Sequence, residues 1–194
     1  MGDSFRHREL FGGGLRCDLP ERFMDISDFR PVPDHQEIFA DAAKDQSIIV
    51  EIVERADVSD DEACAFFWAD VIAGNEAQHA SLVSSRLLNN TTELHSSWHE
   101  RGATGALAYG ELSVSKGRQG PDQANRVHIG LFILRLPAVD SDILVTVNTP
   151  IYINPASSSA EHARTTGEKE QETAQVLIQR ILATLELVDW GLFG

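Results

Sequence analysis

The segment Arg126–Leu136, RVHIGLFILRL, is apolar on both of its strand faces, with Val127, Ile129, Leu131 and Ile133 alternating with Phe132 and Leu134. Side chains in a strand point alternately to opposite faces, so a run of this kind keeps neither face in water. It requires a central strand covered by helices on both sides. Two further β-rich runs, Ala106–Ser115 and Asp142–Tyr152, are joined to it by KGRQGPDQ (Lys116–Gln123) and by Pro137–Ser141. Connections this short make antiparallel neighbours. Arg135 interrupts the apolar stretch Val127–Val139, and the opening MGDSFRHREL has no apolar run of signal-peptide length. The expectation is an intracellular protein with no direct membrane insertion.

The remaining elements follow from local signals. ELFGGGLRCDLP (Glu9–Pro20) reads as a strand with a hairpin or bulge at Gly12–Gly14. It lacks the Lys-Ser/Thr of a phosphate loop. Residues 25–35 form a loop or single helical turn, punctuated by Pro31 and Pro33. Gln36–Phe39 and Ser47–Val53 are expected to pair as strands. Ser59 should cap a helix running to about Ala73, with Phe66, Phe67 and Val71 toward the core and Gly74 at its end. One strand from Ala80 to Leu88 is expected within residues 76–100, followed by a polar connection. A Ser-rich loop, Asn154–Thr166, leads to a closing helix from about Glu168 to Leu187. Its Ala174, Leu177, Ile178, Ile181, Leu182 and Leu185 recur at helical spacing. The predicted fold is α+β, one domain over residues 1–194: a mainly antiparallel, twisted β-sheet flanked by helices on both faces, an α/β/α sandwich.

Charge narrows the function. The net charge is −14, and residues 25–62 hold twelve carboxylates against three cations. These acids interrupt RPVPDHQEIF (Arg30–Phe39) and DQSIIVEIVE (Asp45–Glu54), which otherwise have the apolar content of folded strands. A rigid negative surface of this kind steers a basic partner and disfavours nucleic acid. Asp60, Asp61 and Glu62 are accounted for locally, because carboxylates in a first helical turn complement its unpaired N–H groups.

Residues that could carry bond chemistry lack its context. His95 and His99 in HSSWH have helical i, i+4 spacing but no zincin Glu and no third ligand, so no metal or other cofactor is expected. There is no G-x-S-x-G elbow. Cys17 and Cys64 form neither a disulfide framework nor a zinc spacing, and an apolar helical setting blunts Cys64 as a nucleophile. Glu51 and Glu54 could act as an acid/base pair only if they converge, since residues three apart in a regular strand face opposite ways. Glu51 would interrupt an apolar face formed with Ile49 and Val53, so it is either paired, with Arg30 or Arg55, or turned to solvent.

Several strings in one order carry a family resemblance: LFGGG, MDISDFRPVPDHQEIF, DQSIIVEIVE, GLFILRLP with DSDILVTVNTP, and the terminal VDWGLFG. Together they run from about Glu9 to Gly194, and the chain resembles the Ran guanine nucleotide release factor family. Residues 77–105 and 154–167 depart from it. The resemblance implies a PsbP-like fold, release of GTP from the GTPase Ran in support of nuclear protein import, and residence in nucleus and cytoplasm. It also implies action by binding without enzymatic chemistry, and it leaves room for an auxiliary Ran-binding protein. It places the Ran-binding surface at Glu51 and Glu54, with Asp34, Gln36 and Glu37 as neighbours and Arg30 in support. Two other classes fit the residues: an acidic adaptor binding a basic partner, such as a membrane protein, without exchange activity, and a small-ligand or hydrolytic domain with a pocket at the Glu pair.

Overall fold

The structure, a computed structural model, describes residues 3–90, 92–115, 121–161 and 169–194. Along the chain run β1 (Phe5–Leu10), β2 (Leu15–Pro20), β3 (Met24–Asp25), β4 (Gln36–Asp41), β5 (Gln46–Glu54), α1 (Asp60–Gly74), β6 (His79–Leu87), β7 (Thr104–Val114), β8 (Asn125–Leu136), β9 (Ser141–Tyr152), α2 (Lys169–Thr184) and β10 (Glu186–Leu187). Seven strands form one antiparallel sheet in the order β3-β4-β5-β9-β8-β7-β6, and β1, β2 and β10 form a smaller one. Of the expected turn Lys116–Gln123, residues 116–120 lie outside the described residues. So do residues 162–168, which take in the end of the Ser-rich loop and the expected helix start, and the side chains at 169–174, Ala174 included.

β8 has neighbours on both sides, one place from the middle strand β9. Its two faces divide the core as the alternation requires. Leu131 and Ile133 pack with Ala63, Cys64 and Phe67 of α1. Phe132 and Leu134 pack with Leu177, Ile178 and Ile181 of α2. A helix on each face is therefore what the doubly apolar strand dictates. The small sheet adds a layer that the alternation does not announce, because α2 lies between the large sheet and β2.

The triple glycine closes the β1–β2 hairpin, with Gly12 and Gly13 at φ of 64° and 94°, a region that side chains disfavour. α1 opens as expected: the Ser59 backbone N–H and hydroxyl both donate to Glu62 Oε2, at 3.1 and 2.7 Å. Its end differs. Gly74 stays helical, and Asn75 is the cap at φ −92°, its side-chain amide donating to the Val71 carbonyl at 2.8 Å. Phe66 also departs from the expected core, being 42% exposed while Phe67 and Trp68 are buried. Successive residues lie about 100° apart around a helix, and the buried arc of α1 is filled by Ala63, Cys64, Phe67 and Trp68, which leaves Phe66 at its edge.

α2 stops at Thr184, three residues short of the expected Leu187. Glu186 and Leu187 leave the helix to pair with Arg16 and Leu15 of β2, and the Arg16 guanidinium donates to both Glu186 oxygens at 2.8 and 3.0 Å. Trp98, in the expected polar connection, is 1% exposed and donates its indole N–H to the Leu185 carbonyl at 2.8 Å. Both cysteines are buried and free, and burial pushes the Cys17 thiol up to about 12.

Candidate partner-docking groove

β5 alternates Ile48 and Val50 toward the α2 side with Ile49, Glu51 and Val53 toward the α1 side. α1 packs over β6, β7 and β8. Its position leaves the α1 side of β5 and β9 partly uncovered, and there a groove of about 640 Å³ opens between strand and helix. Ile49, Val53, Leu144, Phe67 and Val71 give it an apolar lining, and Gln36, Glu51, Glu54, Asp70 and Arg55 supply polar groups.

The two glutamates meet the groove in different ways. Glu51 turns into the groove from a regular β5 position, half-buried, opposite Leu144 on β9. It accepts a hydrogen bond from the Gln36 side-chain amide across the β4–β5 pair, and among the described residues it has no ion pair with Arg30 or Arg55. Glu54 is the last residue of β5 and exposed, and it lines the same groove from the strand's end. β5 keeps its regular pairing with β9 through Glu54, which sits opposite Ser141, so the two glutamates border the groove from successive faces of one strand, Glu54 at its end.

The other expected neighbours divide. Gln36 orients Glu51. Asp34 is exposed in the turn before β4, where the Gln36 N–H donates to the Pro33 carbonyl at 2.9 Å, and it does not line the groove. Arg30 is exposed in the turn closed by its own N–H on the Ile26 carbonyl at 3.1 Å, and it does not line the groove either. Glu37 belongs to the opposite face of β4 and accepts the Phe11 backbone N–H, tying the β1–β2 hairpin to the sheet. Burial raises its carboxyl above the usual range against the opposing pull of that N–H.

Much of the remaining acid between residues 25 and 62 is likewise structural. Asp41 pairs with Arg22 at 2.6 Å, Asp60 with Arg135 at 3.1 Å, and Asp25 accepts from the Ser27 N–H and hydroxyl. What faces the groove from this stretch is the glutamate pair. The far wall, Phe66 and Asp70 on α1, is a feature that the sequence reading missed. Its signal is the i, i+4, i+8 spacing of Phe66, Asp70 and Gly74, which puts them on one helical ridge.

Glu51 and Glu54 lie on a strand with a neighbour on each side, beside a helix anchored in the core, and this gives an α+β domain with an acid-rimmed groove. The model of the Ran-interacting Mog1 protein family matches residues 8–150, and the chain belongs to that family. It is 37% identical over 188 residues to the Ran guanine nucleotide release factor of Danio rerio, a match spanning 96% of this chain and 99% of that protein. The Homo sapiens protein of the same name is 31% identical over 195 residues, covering 95% of each chain. The crystal structure of the Saccharomyces cerevisiae Ran-binding protein Mog1p superposes with a TM-score of 0.73 at 24% identity over 100% of both chains. The fold is therefore the PsbP-like antiparallel α/β/α arrangement that the resemblance implied.

Proposed function

We propose that this chain, acting as a single domain, binds the GTPase Ran and promotes release of its guanine nucleotide in support of nuclear protein import. In this reading it works by binding, without bond chemistry of its own, in nucleus and cytoplasm, with an auxiliary Ran-binding protein as a further partner. The observation that carries the reading is that Glu51 and Glu54 both line one groove of a chain belonging to the Ran-interacting Mog1 family. A groove would also suit a small molecule; membership of the Ran-interacting Mog1 family supports the protein partner.

A GTPase holds its nucleotide through a phosphate-loop lysine and Mg²⁺. A release factor must therefore bind the emptied or loosened state more tightly than the loaded one, since a ligand shifts an equilibrium only by its differential affinity. Carboxylates supply that difference in two ways: by drawing a cationic segment away from the phosphates, and by repelling the triphosphate as it returns. Glu51 and Glu54 are the candidates for both, and their place on the ordered strand β5 supports the reading.

Ran loaded with labelled GTP tests this directly. Glu51→Lys/Glu54→Lys is expected to slow the stimulated release by at least about tenfold, because placing like charges across an interface costs several kcal/mol. The wild-type rate should also fall as salt rises, since long-range steering is screened beyond about 10 Å at 0.1 M ionic strength. Equal release by a folded double variant would remove these residues from the mechanism.

A further inference from the structure

Among the described residues the large sheet ends in two edge strands of unequal length. One is β3, with two residues, and the other is β6, with nine, all of them exposed. An edge strand leaves alternate backbone N–H and C=O groups without a strand to pair with, and proteins blunt such edges with brevity, charge or a bulge. β6 has the bulge and little charge. It holds no carboxylate in a chain of net charge −14, and the Arg86 guanidinium is taken up by both Glu93 oxygens at 3.0 and 2.6 Å. Its register with β7 shifts between Leu82 and Ser84, so among the described residues Val83 has no β7 partner. Leu82 pairs with Gly110, which lies under Trp68 of α1, whereas Ser84 pairs with Tyr109, which packs on the α2 side. Alternation from Ser84 returns Val83 to the α1 side. Leu82 and Val83 therefore sit next to each other on one face, 38% and 67% exposed.

We infer that β6 pairs antiparallel with β6 of a second copy of this chain, about a two-fold axis between Leu82 and Val83. Residues opposite one another in an antiparallel pair share a face of the sheet. The bulge selects the register that satisfies this along the whole strand: Leu82 opposite Val83, Ser81 opposite Ser84, Ala80 opposite Ser85 and His79 opposite Arg86. An axis through Val83 itself would set Ser81 against Ser85, which lie on opposite faces. In the matched register Leu82 and Val83 of both copies close one apolar patch over the axis, and serine hydroxyls meet on the other face. The position that brings basic side chains together, Arg86 opposite His79, has its guanidinium already paired with Glu93. Two chains of net charge −14 repel each other, so a contact between copies needs a stretch without acid, and β6 supplies it. The inference is independent of the docking function: β7 and β8 separate β6 from the groove on β5 and β9, which stays open in both copies. Pairing over one strand is at the low end of interface sizes, so the association is weak and depends on concentration.

Sedimentation equilibrium of the purified chain over about 1–500 µM tests this, at low and at high salt, for the wild type and Val83→Lys, with thermal unfolding alongside. The wild type should move from monomer toward dimer across that range, and further at high salt, because screening weakens the repulsion between like-charged copies. Val83→Lys brings an ammonium from each copy to the axis and should weaken association at least about tenfold. Its melting temperature should stay within about 3 °C of wild type, since the position is exposed. Cross-linking reads the register: a mixture of Ser81→Cys and Ser84→Cys chains should form a disulfide between copies on oxidation, and Ser81→Cys by itself much less. Cys17 and Cys64 are buried and do not compete. A wild type that stays monomeric throughout overturns the inference, as does a dimer that a folded Val83→Lys leaves at full strength. Association through β6 that appears only when Ran is added also overturns it, giving the edge to a strand of the partner. If Val83→Lys melts well below wild type, the cross-link decides, and equal yields from the mixture and from Ser81→Cys by itself overturn the pairing.

Discussion

Gly110→Ala should lower the stability of the fold by about 3 kcal/mol, the upper part of the range for overpacking a filled interior. A Cβ at this β7 position would lie 2.3 Å from Trp68 Cη2 and 2.4 Å from the Ser81 backbone oxygen. The first atom belongs to α1 and the second to the neighbouring strand β6, so relief in one direction leaves the other clash in place. The backbone conformation at Gly110 is not in question, since its φ is not among the positive ones. What matters is the space taken by the indole, which seats α1 on the sheet. For a chain of this size such a loss lowers the melting temperature by about 6–12 °C. Adding Trp68→Leu should recover part of the loss by removing the indole, but not all, because the Ser81 oxygen remains. A melting temperature within about 2 °C of wild type for Gly110→Ala, a shift worth under about 1 kcal/mol, would show that the helix is not seated there.

Arg135→Met should cost about 3–5 kcal/mol, the range for breaking a buried ion pair on one side. Arg135 is 1% exposed and Asp142 fully buried, and their side chains meet at 3.3 Å on adjacent strands. The guanidinium also donates to the Val58 carbonyl at 2.6 Å, to the Ala56 carbonyl at 2.5 Å and to Asp60 at 3.1 Å. Asp142 in turn accepts the Ala56 N–H at 3.0 Å. This cluster fastens the link between β5 and α1, whose two elements are the walls of the groove. Pairing Arg135→Met with Asp142→Leu removes the stranded charge but leaves the Val58 and Ala56 carbonyls without their donor. The double variant should therefore stay less stable than wild type, unlike an ion pair that can be swapped for apolar groups at no loss. Nucleotide release should weaken along with stability. Chemical denaturation checks the first effect, and a cost under about 1 kcal/mol for Arg135→Met would contradict the role assigned to the cluster.

These two positions mark where the sequence stops being readable. Strands β5, β8 and β9 are legible because alternation and β-branched content are local properties, and so is the Ser59–Glu62 start of α1. The end of α2 is not. Leu182 and Leu185 continue a helical pattern, and only the distant Arg16 and Leu15 explain why Glu186 and Leu187 turn into a strand. Arg135 reads in sequence as an interruption of an apolar run, since nothing local shows that two carbonyls and two carboxylates from elsewhere converge on it. In the groove, Glu51 and Glu54 are legible as acids set into a strand, but that both border one groove depends on where α1 leaves β5 and β9 uncovered. Glu37 looked like their neighbour, and one residue of alternation sends it to the other face. Phe66 could not be told from Phe67 by composition. The rotation of α1, fixed by Trp68 over Gly110, decides which ring enters the core and which stays exposed at the groove.

The most direct test of the whole account is the affinity of this chain for nucleotide-free Ran and for GTP-loaded Ran, measured side by side in the same buffer. Linkage requires that GTP weaken the complex by the factor by which the chain weakens GTP. Clearly tighter binding to the emptied GTPase is expected, with the difference reduced in Glu51→Lys/Glu54→Lys. Equal affinity for the two states would contradict it, because a factor that does not distinguish them cannot drive release.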